Sequence, residues 1–334
     1  MEIREKVVEY LGMCPSNEEE MLKHIEVCGR RCYKSEHRID YEARSFEKFY
    51  KMLIGNGHVS AIEHSNVVLE ISCEEVDAFE IVYSHFVQSA LTQMAYFRVM
   101  PLYDDLKITI SGNVRAWNEF LMRKWWFAPY KEVAEFLHSQ YPIVFSKVPE
   151  YLETNLPERE NVPELEDELA ACGEITMRIV PDYELQLNFD VYDQFDIPIY
   201  TFVAYTDRGI SHEIVRHRVL SYSQESTRYV NYKSKGIQLI DWPVPESLRD
   251  QYATVMAQVE GLYNDLITAG VKPQFARNVL PNATKTEIAM SGRMSGWSHF
   301  VDLRESAAAH PDIRFIAEYV KDMLGLGQVE QAAA

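Results

Sequence analysis

Two short runs of alternating polar and apolar residues, LKITI (Leu106–Ile110) and TEIAM (Thr286–Met290), each lead into a segment with apolar residues at wider spacing. The alternation reads as a strand and the spacing after it as a helix. The two helical segments resemble each other. SGNVRAWNEFL (Ser111–Leu121) and SGRMSGWSHFV (Ser291–Val301) carry Ser, Gly, Trp and Phe at matching places, 180 residues apart. Upstream, the strand-like VVLEIS (Val67–Ser72) resembles YTFVAY (Tyr200–Tyr205), 133 residues apart. Self-similarity at a fixed offset is the mark of a repeated unit. The offsets differ by 47 residues, which places a block between strand and helix in the second copy that the first copy lacks. Between the copies, Val148–Glu174 is rich in Glu and Pro and reads as a solvated linker. The pattern therefore predicts two related halves, residues 1–147 and 175–334, joined by a linker over 148–174. Chance similarity of two strand–helix units is the alternative reading.

Composition narrows the partners. The 334 residues are 47% hydrophobic and 25% charged, the balance of a globular protein with a large core. A net charge of −18 disfavours nucleic acid and anionic membrane, since phosphate backbones demand a basic surface. The N-terminal MEIREKVVEY lacks the apolar core of a signal peptide, and no run of 18 apolar residues suggests a membrane span. The five cysteines are scattered and form no CxxC pair, so a reducing, cytoplasmic setting without structural zinc or disulfides is expected.

Against this acidic background, RHRVLSYSQESTRYV (Arg216–Val230) concentrates cationic side chains and hydroxyls within the extra block. A turn at Asp207–Gly209 is expected to open a helix through about Val215, with Ile210 and Ile214 on its buried face. Arg216 and Arg218 stand two apart and cannot share a helix face, so they can reach different anionic groups. Ser221, Ser223, Ser226 and Thr227 then read as a loop whose hydroxyls and backbone N–H groups can wrap a phosphate. Arg228 adds a fork-shaped donor suited to phosphate or a pyrimidine carbonyl. A surface loop with ion pairs to Glu213 and Glu225 is the bland alternative.

An RHR triplet, seven residues and then Ser resembles the signature of the flavin-dependent thymidylate synthases, the ThyX family. Other segments resemble that family in order: GRRCYKS (Gly29–Ser35), HVSAIEH (His58–His64), ARNVLP (Ala276–Pro281) and LRESAAAHPDIR (Leu303–Arg314). The resemblance implies an α+β fold, here two related halves that are each a mostly antiparallel sheet flanked by helices. It implies reductive methylation of dUMP to dTMP, with methylenetetrahydrofolate as carbon donor and FAD reduced by NADPH as hydride carrier.

Roles follow by position. Arg216, His217 and Arg218 are implied for flavin and nucleotide phosphates, and Ser226 and Arg228 for dUMP. Glu213 replaces the family's usual Gln, and Gln224 stands where an acidic or amide side chain is common. Arg277 and Arg304 match two more dUMP arginines, with Arg304 placed to stabilise charge on the activated pyrimidine. Arg304, Ser226 and His58 are the candidate catalytic side chains, although Ser226 lacks an evident base and suits binding better. On the flavin side the second half has Arg293 and Ser295 where the family carries Asn-x-Arg, and Asp196 and Ile197 where it carries Glu-His. The first half keeps the flavin-side residues as Ser60, Glu63, Asn113 and Arg115, and His299 joins the cofactor set from the second half. His58, Glu63 and His64 depart from metalloprotease spacing, so no metal is expected.

Each half thus holds what the other has shed. The family's homotetramers share active sites between subunits, which implies a pseudo-dimeric chain that pairs again into a pseudo-tetramer with two composite sites. Methylation or hydroxymethylation of another pyrimidine nucleotide, and a catalytically inactive nucleotide-binding homologue, remain the competing functions. Trp117 and Trp297 are expected in the core at equivalent places, and WWFAPY (Trp125–Tyr130) as an interface or core patch.

Overall fold

The computed structural model describes residues 2–87, 96–123, 129–155 and 175–327. The strands run in chain order β1 (Glu2–Arg4), β2 (Val7–Met13), β3 (Asn66–Cys73), β4 (Phe97–Leu102), β5 (Lys107–Asn113), β6 (Ile175–Ile179), β7 (Ile199–Asp207), β8 (Ser221–Gln224), β9 (Gln238–Ile240) and β10 (Lys285–Arg293). They divide between two compact units. Unit one gathers Met1–Gly12, Val27–Ile39 and Tyr200–Ala334; unit two holds Met13–Glu26 and Asp40–Ile199.

Unit one is built on a four-stranded sheet in the order β2-β7-β10-β8, with a small parallel pair, β1 and β9. Every residue of β10 is buried, its polar side chains included, and so are the first six of β7, whose sequence is a nearly continuous apolar run. Trp297, on the helix Met294–Arg304, is fully buried and donates its indole N–H to the Tyr200 carbonyl at 3.2 Å and to Gly292 at 3.1 Å. A Cβ at Gly292 would overlap the Leu220 side chain, so the close approach of these elements requires glycine.

Unit two repeats the design with different residues. Its sheet runs β4-β5-β3-β6, and β3, β4, β5 and β6 pair antiparallel throughout. Trp117, on the helix Val114–Leu121, is also fully buried and donates to the Val67 carbonyl at 3.0 Å. A Cβ at Gly112 would overlap the Phe97 ring. The two indole donors stand 180 residues apart and their acceptors, Val67 and Tyr200, stand 133 apart, the two offsets found along the chain.

The expected α+β class with antiparallel sheets and flanking helices is what forms, and both tryptophans are core residues. The units are not a simple cut of the chain near residues 147 and 175. β2 completes the sheet of β7 and β10, while β6 completes the sheet of β3 and β5. Val148–Glu174 is not a solvated arm from its start, because Val148–Asn155 is helical with Val148 and Leu152 buried. Residues 156–174 lie outside the described residues, as do Trp125, Trp126, Phe127 and Ala128 of the aromatic run.

Candidate functional site

In unit one the RHR block grows out of the end of β7. Asp207 ends the strand and caps the helix Arg208–Ile214, accepting the Ile210 N–H at 2.8 Å. The helix stops at Ile214, and a tight turn then carries Arg216, His217 and Arg218. Odd and even positions diverge there: His217 is buried while Arg216 and Arg218 are exposed. Among the described residues neither arginine side chain has a hydrogen-bonding or ion-pair partner, which leaves both guanidinium groups available to anions.

His217 turns inward against Arg304, the last residue of the helix Met294–Arg304. The Arg304 Nε–H donates to His217 Nε2 at 2.9 Å. Its terminal nitrogens donate to the Glu213 carboxylate at 2.9 Å and to the Glu213 carbonyl at 3.2 Å. One N–H on each terminal nitrogen is left for a ligand. Burial, the Arg304 charge and His299 together hold the His217 pKa down at about 4, so this imidazole is neutral and accepts rather than donates toward Arg304. The exposed His299 ring lies 5.8 Å from His217, and Phe300 packs edge-on at 4.8 Å. Glu213, read as a mild departure, is thus the anchor of Arg304.

The stretch after RHR is not all loop. Ser221–Gln224 forms β8 and pairs antiparallel with β10, Ser221 to Gln224 standing opposite Ser291 to Ile288. Ser223 is buried and Ser221 lies on the strand, so only the hydroxyls of Ser226 and Thr227 belong to the loop. Gln224 donates its amide to Ser211 at 2.8 Å and to Thr286 at 3.2 Å. Ser226 accepts the Arg228 backbone N–H at 3.3 Å, and Arg277 donates to the Thr227 hydroxyl at 3.3 Å. Arg228 is exposed, with its guanidinium 5.6 Å from the Tyr229 ring centre. Two polar groups result in unit one: Arg304 with His217 and Glu213, and Arg277 with the Thr227 hydroxyl beside Ser226 and exposed Arg228.

Several partners carried no assigned role in the sequence. Tyr222 donates its hydroxyl to the carbonyls of Ile214 and His217, pinning the RHR turn. Arg31, buried, donates to Tyr205, Glu287 and Glu9, one residue on each of β7, β10 and β2. Cys32 also lies here: its carbonyl accepts the Ser226 N–H at 2.9 Å. A cysteine therefore lies beside this loop, through a contact between residues 194 apart in the chain. Burial pushes its thiol pKa up, so it stays protonated. GRRCYKS was the visible signal for Arg31 and Cys32; Tyr222 and Glu287 had none.

The first-half residues that the resemblance assigns to the flavin, Ser60, Glu63, Asn113 and Arg115, lie in unit two with His58, whereas His299 lies in unit one. His58 precedes the short helical turn Val59–His64, on which Ser60 is exposed and His64 fully buried. Arg115 donates to Glu63 at 2.7 Å and to Glu119 at 2.6 Å, so Glu63 and Arg115 are brought together across 52 residues. Asn113 caps the helix Val114–Leu121 by accepting the Ala116 N–H at 2.8 Å. Its amide N–H groups remain for other use. Among the described residues no cluster of three His, Cys, Asp or Glu side chains is arranged to hold a metal ion.

Burial also depresses His24 to about 4 and His64 to about 3. The unfolded chain takes up these protons near pH 6.5 and the native state does not, so stability falls as pH drops from 6.5 toward 4. Raised carboxyls such as Asp207 and Glu36 work in the opposite sense. The variant His64→Gln isolates the imidazole contribution. Its urea midpoint should fall less steeply than wild type between about pH 7 and about pH 4.5. Parallel slopes for the two proteins would remove His64 as the cause.

Residues 188–325 match the family model described as Thymidylate synthase complementing protein. The flavin-dependent thymidylate synthase of Mycobacterium tuberculosis is 32% identical over 146 residues, covering 39% of this chain and 58% of that protein. The protein of that name from Pyrococcus furiosus is 34% identical over 116 residues, covering 33% of this chain and 47% of its own length. The chain thus spans about half the length of these relatives. The segment 188–325 that matches this family model holds Glu213, the RHR turn, the Ser226 loop, Arg277 and Arg304.

Proposed function

We propose that this chain reductively methylates dUMP to dTMP with methylenetetrahydrofolate, FAD and NADPH. The observation that carries the reading is Arg304, fixed by Glu213 and neutral His217 beside the exposed cations of the RHR turn. Arg216 and Arg218 suit the phosphates of a flavin dinucleotide and of dUMP, because both guanidinium groups are exposed and uncommitted among the described residues. FAD, when bound, supplies the hydride. The remaining Arg304 N–H groups stabilise negative charge on the pyrimidine as its ring is activated. Ser226 and Arg228 hold the nucleotide, and Gln224 braces the strand before them through Ser211 and Thr286.

No cysteine nucleophile is needed. A protonated, half-buried Cys32 thiol has a structural part, so Cys32→Ser should retain most of its turnover of dUMP. Loss of all turnover in a folded Cys32→Ser protein would instead favour covalent attack by the thiol.

Purified protein should be yellow or take up FAD, and should convert dUMP to dTMP when supplied with the folate and NADPH. Mass analysis of the product, with dCMP and UMP run in parallel, identifies the pyrimidine. Protein that neither carries nor accepts FAD would favour an inactive nucleotide-binding homologue.

The duplication belongs to the same reading. It is supported by matching sheet orders, β4-β5-β3-β6 and β8-β10-β7-β2, and by the paired Trp117 and Trp297 hydrogen bonds. Each copy then lends its leading strand, β2 or β6, to the other copy's sheet. One chain carries the flavin-side residues once and the nucleotide module once, and self-association to a homodimer would make a pseudo-tetramer. Light scattering that finds only monomer under assay conditions would count against that assembly.

A further inference from the structure

The GRRCYKS segment has no part in the function proposed so far, yet three consecutive residues of it meet the nucleotide loop. The Cys32 carbonyl accepts the Ser226 N–H at 2.9 Å. The Tyr33 ring lies tilted against Tyr229, with centroids 5.7 Å apart. The Lys34 ammonium stands 3.8 Å from the Glu225 carboxylate and 5.7 Å from the Tyr232 ring centre.

Glu225 immediately precedes Ser226 and is 1% exposed. A carboxylate withdrawn so far from water needs cations and donors around it. Tyr232 donates its hydroxyl at 2.7 Å, Lys285 lies 3.5 Å from the other oxygen, and Lys34 completes the set. Lys285 is shared with Glu287, its ion-pair partner on β10. Lys34 therefore carries the part of the balance that β10 does not claim.

The backbone of Lys34 gives a second, independent observation. It sits at φ 49°, in the left-handed region, where the chain leaves the helix Glu18–Arg31. Its N–H donates to the Arg31 carbonyl and that of Ser35 to Arg30, the pattern of a helix end that glycine ordinarily occupies. A lysine held in a conformation that suits glycine points to use of its side chain.

We propose that Lys34 is a positioning residue for the nucleotide loop. Its ammonium fixes buried Glu225, and Cys32–Lys34 acts as a template that sets the Ser226 hydroxyl and Arg228 against the pyrimidine nucleotide. The inference rests on dUMP being the ligand of that loop.

The substitution Lys34→Gly separates the two roles of this position. Glycine relieves the left-handed backbone while its loss of the ammonium leaves Glu225 less compensated, so the two effects offset and the thermal midpoint should stay close to that of wild type. Its dUMP affinity, measured by calorimetric titration of the full chain, should fall about tenfold, while Lys34→Arg restores most of it. Lys34→Gly binding dUMP as tightly as wild type would overturn the proposal. So would a lowered midpoint in Lys34→Gly with binding lost only in proportion to unfolded protein. Wild-type protein that does not bind dUMP at all would instead remove the functional reading.

Discussion

Replacing Arg304 with Ala should lower kcat for dTMP formation by about two to three orders of magnitude, with a smaller change in the KM for dUMP. The asymmetry follows from what the guanidinium does. Three of its nitrogens are already spent on Glu213 and His217, so its position is set before any ligand arrives. Preorganised donors aimed at developing charge act on the transition state more than on the bound substrate. Lys at this position should not rescue, because an ammonium cannot span His217 Nε2 and both Glu213 acceptors at once. Steady-state kinetics on folded Arg304→Ala would check this. An equal loss in binding and no loss in kcat would assign Arg304 to ground-state binding alone.

The largest structural effect is expected at the buried tryptophans. Trp297→Ala and Trp117→Ala should each cost about 3–5 kcal/mol of unfolding free energy. Both rings are fully buried among aromatic neighbours, with Phe202 4.8 Å from Trp297 and Phe97 4.8 Å from Trp117. Each also satisfies a strand carbonyl that truncation would leave without its donor. Urea unfolding of the two variants tests the claim twice, once in each unit. A cost below about 1 kcal/mol at either position would mean that the surrounding elements collapse to fill the cavity.

The elements around these tryptophans were legible because their signals are local. LKITI and TEIAM show strand alternation, and the Ser-Gly-x-x-x-x-Trp spacing that follows names both helices. RHRVLSYSQESTRY resembles the family's signature, and it lies within the segment that the family model matches. Glu213 was visible as a substitution, but its grip on Arg304 was not, since the pair is separated by 91 residues. The polar run Ser221–Gln224 was misread as loop because the partner that makes it a strand, β10, lies more than sixty residues later.

The sequence by itself determined the strand–helix units, the resemblance between them, the acidic background and the residue types of a candidate anion-binding module. Those properties reside in spacing and side-chain chemistry within short windows. Only the tertiary structure decided which strands share a sheet, so that β2 joins β7 and β6 joins β3. It also decided that His217 is neutral, that the Cys32 carbonyl accepts the Ser226 N–H, and that Lys34 reaches Glu225. Strand partners, protonation and buried ion pairs depend on what is excluded from water by residues far along the chain, and no local pattern encodes that exclusion.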